Sequence, residues 1–117
     1  MRDPLQALLN CRFNSVLANF YRDGRDHMGW HADDEPELGC EPVIASVSLG
    51  ASRDFVMRRR RPAPGEVVDK HHISLTHGSL LVMRGTTQQH WQHSLPRRLR
   101  VTDARINLTF RHVPSSG

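Results

Sequence analysis

The chain has 117 residues, enough for one domain that buries roughly two-thirds of its unfolded surface and too few for two. Hydrophobic residues make up 38% and charged residues 24%, a globular rather than a disordered balance, and no apolar run approaches the ~18 residues of a membrane span. Sixteen basic against twelve acidic residues give a net charge of +4, and fifteen of the sixteen are Arg, whose planar fork suits carboxylates and phosphates. Basic residues bunch at Arg58–Arg61 and at Arg97, Arg98 and Arg100, acids between Asp33 and Glu41. The pattern fits a nucleic-acid partner, and equally a solvated loop. Met1–Asn10 is too short and too polar for a secretory signal. Cys11 and Cys40 fit no metal spacing and are read as reduced, so a cytoplasmic location (nuclear in a eukaryote) is expected.

In chain order, the first element reads as a short helix. Asp3 caps it, Pro4 suits its first turn, and Leu5, Leu8 and Leu9 share a face. Strands follow over Phe13–Tyr21 and His27–Asp33, with a turn at Asp23-Gly24. Pro36–Pro42 is a loop. Val43–Leu49 alternates and stops at Gly50, and Asp54–Arg58 is the next strand. Arg59–Val68, with two prolines and a glycine, is a loop or hairpin tip. His71–Leu75 is expected to pair with Ser79–Met83 across Thr76-His77-Gly78. Trp91–Leu95 ends at Pro96, Arg105–Val113 is the last strand, and 114–117 is a frayed tail. No helical period appears after Asn10. About eight short strands with turns at sandwich or barrel spacing predict a single mainly-β domain over 1–117, two sheets with one N-terminal helix.

His31 and Asp33 stand two apart, which on a strand puts an imidazole and a carboxylate on one face. That suits two ligands on one metal. His93 is the leading third candidate, with His90 next. Two His and one carboxylate leave positions open for non-haem Fe(II) oxygen chemistry, although His-x-Asp alone also arises by chance. On the last strand Arg105, Asn107, Thr109 and Arg111 share one face, while Ile106, Leu108 and Phe110 on the other pack on a core. A polar row facing a barrel interior makes sense if a polar ligand lies there. The two Arg positions are about 20 Å apart along the strand, so they can reach inward from both ends toward a short dicarboxylate. Asn107 and Thr109 would add hydrogen bonds between them.

These residues carry a resemblance. Asn19-Phe20-Tyr21, His31-Ala32-Asp33-Asp34-Glu35, Ile44–Ala51, Arg53, Phe55, His77–Leu81, Trp91, His93–Pro96 and Arg105–Arg111 resemble the AlkB family of Fe(II)/2-oxoglutarate dioxygenases, in the family's order and from Phe13 to Val113. The resemblance implies a double-stranded β-helix (jelly-roll) core. It implies Fe(II) on His31, Asp33 and His93, and 2-oxoglutarate on Asn19, Tyr21, Arg105, Thr109 and Arg111, with O₂ as oxidant and ascorbate as an aid to turnover. The implied reaction is oxidative demethylation of alkylated bases in single- or double-stranded DNA or RNA, giving formaldehyde, succinate and CO₂. Asp34 and Glu35 would read the extruded base, and Arg53 and Phe55 would line the substrate side. Family members carry an N-terminal nucleotide-recognition lid ahead of the helix, and this chain is expected to lack it. Two other readings stay open: the same oxygenase chemistry on a substrate other than nucleic acid, and a β-barrel that binds Zn²⁺ without turnover. The polar row favours an oxygenase, since a Zn site has no need of Asn19, Tyr21, Arg105 and Arg111 together. A monomer without membrane contact is expected.

Overall fold

A computed structural model of the chain describes residues 2–9, 13–33, 42–60, 65, 70–85 and 87–112. Cys11, Cys40 and the expected frayed tail lie outside these residues. The elements are helix α1 (Arg2–Leu9), strands β1 (Ser15–Tyr21), β2 (Met28–His31), β3 (Ile44–Gly50), β4 (Arg53–Arg59), β5 (Lys70–Leu75) and β6 (Leu80–Met83), a single helical turn α2 (Thr87–His90), then β7 (Trp91–Leu95) and β8 (Arg105–Arg111). The strands form two antiparallel four-stranded sheets, ordered β1-β8-β3-β6 and β2-β7-β4-β5. They face each other across an apolar layer that holds Tyr21, Ile44, Phe55, Leu75, Met83 and Leu95. This is the expected mainly-β jelly roll.

Sequence alternation explains which sheet faces what. On β3, Ile44, Ser46 and Ser48 point between the sheets, while Ala45 and Val47 join Leu5, Phe13 and Phe110 in a second cluster behind the first sheet. Helix α1 thus uses Leu5 to cover the back of β3 and β8; the side chains of Leu8 and Leu9 lie outside the described residues. The apolar row of β8 divides along its length. Phe110 is buried and Leu108 packs on the same cluster, whereas Ile106 is 39% exposed. The β3–β8 register sets Ser46 opposite Thr109, Ser48 opposite Asn107 and Gly50 opposite Arg105. The polar row of β8 therefore meets polar positions of β3 in the interior.

Two expectations fail. β5 and β6 do not pair with each other: β5 pairs with β4, and β6 with β3 in the other sheet. The Thr76–Ser79 connection crosses between sheets, and its turn is tied back to Ser48 through the Gly78 N–H and the Ser79 carbonyl. The sequence also gives no period for α2. Four residues are too short to show one, yet Arg60 binds the turn through the carbonyls of Gln88 and His90.

Candidate metal and dicarboxylate site

β2 and β7 pair antiparallel and set His31 directly opposite His93, with ring centroids 4.1 Å apart. Asp33 is not on the strand, as the two-residue spacing suggested. β2 ends at His31, and Asp33 lies two residues beyond, buried. Its backbone N–H donates to Gln88 Oε1 at 2.8 Å, and its Oδ1 accepts from Arg111 Nη2 at 2.9 Å. Oδ2 is left facing His93 Nε2 at 3.8 Å. One ligand atom from each of His31, Asp33 and His93 falls within 4.8 Å of the others.

The surroundings fix the protons. His31 Nδ1 lies 3.0 Å from the Gly29 carbonyl. A carbonyl only accepts, so Nδ1 carries a hydrogen, which leaves Nε2 as the ring atom available to a metal. His93 stacks on Phe55 with centroids 5.1 Å apart. Burial first, then the neighbouring His31 and Arg111, pushes the His93 pKa down to about 3, so its ring is neutral and free to act as a ligand. His90, the second candidate for third ligand, is exposed at the end of α2.

A cavity of about 460 Å³ opens between the sheets in front of the three groups, within the range of small-molecule sites. Asn19 and Tyr21 from β1 and Arg105, Asn107 and Arg111 from β8 line one wall, with Phe55, Leu75, Met83 and Leu95 among the apolar lining. Arg105 is 2% exposed. Its Nη2 donates to Ser48 Oγ at 2.9 Å, and its guanidinium lies 5.3 Å from the centroid of the Tyr21 ring. No ion pair joins Arg105 to a carboxylate among the described residues, and Nε of both Arg105 and Arg111 is buried without a hydrogen-bond partner. A buried guanidinium whose neighbours are a neutral hydroxyl and an aromatic ring calls for an anion. The donor set fits both groups the resemblance implies: two imidazoles and a carboxylate for Fe(II), and an unpaired buried cation for the acid.

The structure separates the other expected site residues. Asn107 borders the cavity, but its amide is engaged within the wall: Oδ1 accepts from Ser46 Oγ at 2.6 Å and Nδ2 donates to Thr109 Oγ1 at 3.1 Å. Thr109 is buried behind it. Phe55 lines the cavity through its contact with His93. Arg53 does not reach the cavity. Its guanidinium donates to the carbonyls of Asp23, Asp26 and Pro96 at 2.8–3.1 Å, so its role here is to hold chain segments rather than to line the substrate side. Asp34 and Glu35 lie outside the described residues. Ser46, Ser48 and Gln88 were missed. The two serines had a signal, since they alternate with Ala45 and Val47 on a strand whose other face is apolar. Gln88 had none.

The family model of the 2OG-Fe(II) oxygenase superfamily matches residues 4–111. Alpha-ketoglutarate-dependent dioxygenase alkB homolog 3 of Rattus norvegicus is 52% identical over 106 residues, covering 86% of this chain and 36% of that protein. DNA oxidative demethylase ALKBH2 of Mus musculus is 48% identical over 116 residues, covering 97% and 48%. The chain thus spans between about a third and a half of the length of these relatives. The solved structure of OsALKBH1 superposes with a TM-score of 0.63 at 22% identity, over 95% of this chain and 60% of that one, a likeness of fold. With the family model spanning nearly the whole chain, and with relatives of about half-identical sequence that bear the AlkB name, this chain belongs to the AlkB family of the 2OG-Fe(II) oxygenase superfamily.

Proposed function

We propose that the chain carries out Fe(II)- and 2-oxoglutarate-dependent oxidative demethylation of alkylated bases in DNA or RNA. The observation that carries this is the convergence, on one cavity, of the His31–Asp33–His93 cluster and the buried Arg105 with no carboxylate partner among the described residues. A structural zinc site would need the first and not the second. Bound there, Fe(II) with 2-oxoglutarate and O₂ supplies oxidation of a C–H bond coupled to decarboxylation of the co-acid to succinate.

The chain's own residues do the positioning. His31 and His93 present ring nitrogens, and Arg111 turns the Asp33 carboxylate so that Oδ2 faces His93. Arg105 supplies a fixed positive charge for a carboxylate, steadied by Ser48 and Tyr21. The apolar lining keeps water from the reacting centre. A nucleic-acid substrate is supported by the exposed Arg97 and Arg100. Arg58 and Lys70 add to it; both lie over the Trp30 ring, at 4.2 and 5.9 Å from its centroid. The names of the relatives, a dioxygenase and a DNA oxidative demethylase, point the same way.

The test is release of succinate and formaldehyde from 2-oxoglutarate and a methylated single-stranded oligonucleotide in the presence of Fe(II). Asp33→Ala and His93→Ala should abolish both products while the circular dichroism of the β-sheets is kept. Succinate and formaldehyde unchanged in Asp33→Ala would overturn the proposal.

A further inference from the structure

Asp33 sits where secondary structure gives its backbone no partner. β2 pairs with β7 only at Met28–Leu95 and His31–His93, with a bulge between them, and the strand ends before Asp33. A buried N–H without an acceptor costs free energy comparable to a lost hydrogen bond. The acceptor present is the side chain of Gln88, 55 residues away in sequence, at 2.8 Å. Gln88 is itself 2% exposed, and the other end of its amide donates to Met83 Sδ at 3.4 Å.

The turn that carries Gln88 is pinned on both sides. Arg60 Nη1 donates to the Gln88 carbonyl at 2.9 Å, and the Arg60 N–H donates to the His90 carbonyl at 2.7 Å. Thr87 Oγ1 donates to the Arg84 carbonyl at 2.7 Å. Packing alone does not account for a buried amide here, because an apolar side chain of the same length would fill the space without desolvating four polar sites.

We propose that Gln88 is a positioning residue for the reaction: it fixes the backbone of Asp33, while Arg111 fixes its carboxylate. The two contacts divide the task. Arg111 sets the rotation of the carboxylate group, and Gln88 sets where the Cα that bears it stands relative to His31 and His93. The inference rests on reading Asp33 as a metal ligand.

Gln88→Met, close in length and apolar, removes the acceptor. Gln88→Glu keeps an oxygen in its place. Titration of the full chain with Mn(II), followed by calorimetry, should show Gln88→Met weakening metal binding by about tenfold or more, the loss seen when groups that orient a metal ligand are removed. Gln88→Glu should recover part of that affinity. In the metal-free protein, amide exchange at Asp33 should be faster in Gln88→Met and slow again in Gln88→Glu. Asp33→Ala serves as the reference. If wild type binds Mn(II), Asp33→Ala loses it, and Gln88→Met binds within twofold of wild type, the positioning role is wrong and the metal reading stands. If Asp33→Ala binds as wild type does, the metal reading falls and this inference falls with it. If Gln88→Met does not fold, Gln88→Glu decides by itself: wild-type Asp33 exchange and near-wild-type Mn(II) affinity support the role, and fast exchange or lost affinity in this folded variant overturns it.

Discussion

Tyr21 is the single tyrosine of the sequence, so its titration can be followed without interference. Burial raises its phenol above the usual 10.0, and the nearby Arg105 and Arg53 pull it down without cancelling that rise. Ultraviolet absorbance of the folded chain should therefore give a tyrosinate midpoint above 10, and the denatured chain one near 10. The folded form holds this proton more tightly than the unfolded form. The stability it contributes is thus complete below pH 10 and is lost as pH rises through the folded value. Arg105→Ala should move the midpoint higher still. A folded midpoint at or below that of the denatured chain would contradict the placement of Tyr21 in the interior. Arg53, on the other flank of Tyr21, offers a second residue-scale test. Its guanidinium donates to three main-chain carbonyls, and hydrogen bonds to charged groups contribute about 1.5–3 kcal/mol each. Arg53→Ala should cost about 3 kcal/mol or more in urea unfolding, with 2-oxoglutarate affinity of the folded fraction unchanged. Full stability with lost turnover would return Arg53 to the substrate side.

At the scale of elements, Gly24 shows how a turn is locked to the sheet. Its N–H donates to the Val101 carbonyl, and its own carbonyl accepts from the Arg98 N–H, both at 2.8 Å. A Cβ there would overlap the Arg98 carbonyl oxygen, whereas at Gly29 it would meet nothing within 4 Å. Gly24→Ala should therefore lower the free energy of unfolding by about 3 kcal/mol, the upper range for overpacking, and Gly29→Ala by much less. Equal losses at the two sites would show that the 22–27 turn is not held this way. The Asp23-Gly24 turn was legible in the sequence, because local turn chemistry marks it. So were the strands that alternate strictly: β3 and β8 show their period because each has one polar and one apolar face. Pairing was less legible. β5 and β6 look like a hairpin since Thr76-His77-Gly78 reads as a tight turn between them, and nothing local says that the chain changes sheets there. Asp33 was placed by strand parity, but the strand stops short of it, and the contacts that bring it back come from residues 55 and 78 positions away. The candidate ligands His31, Asp33 and His93 were recognisable from their types and family spacing. Gln88 was not, because its role exists only once the chain has folded.

At the scale of the whole molecule, the candidate site is a joint between the two sheets. His31 and His93 belong to the sheet ordered β2-β7-β4-β5, and Arg105 and Arg111 to the sheet ordered β1-β8-β3-β6. Among the described residues, the ion pair between Arg111 and Asp33 joins this second sheet to the metal-ligand candidates across the gap. A metal on the first set and a dicarboxylate reaching the second would brace one sheet against the other, and a ligand that binds only the folded state stabilises it by mass action. At a hundred times its dissociation constant that is about 2.7 kcal/mol, or roughly 10 °C in melting temperature for a domain of this size. Mn(II) and 2-oxoglutarate together should therefore raise the melting temperature by more than the sum of their separate shifts. Arg105→Ala should keep the shift due to Mn(II) and lose the part that depends on 2-oxoglutarate, because it removes the buried charge and leaves the three metal-facing groups in place. His31→Ala should lose both parts. Strictly additive shifts in wild type, or an undiminished 2-oxoglutarate shift in Arg105→Ala, would mean that the acid binds away from the metal-facing cluster and that the cavity does not couple the sheets.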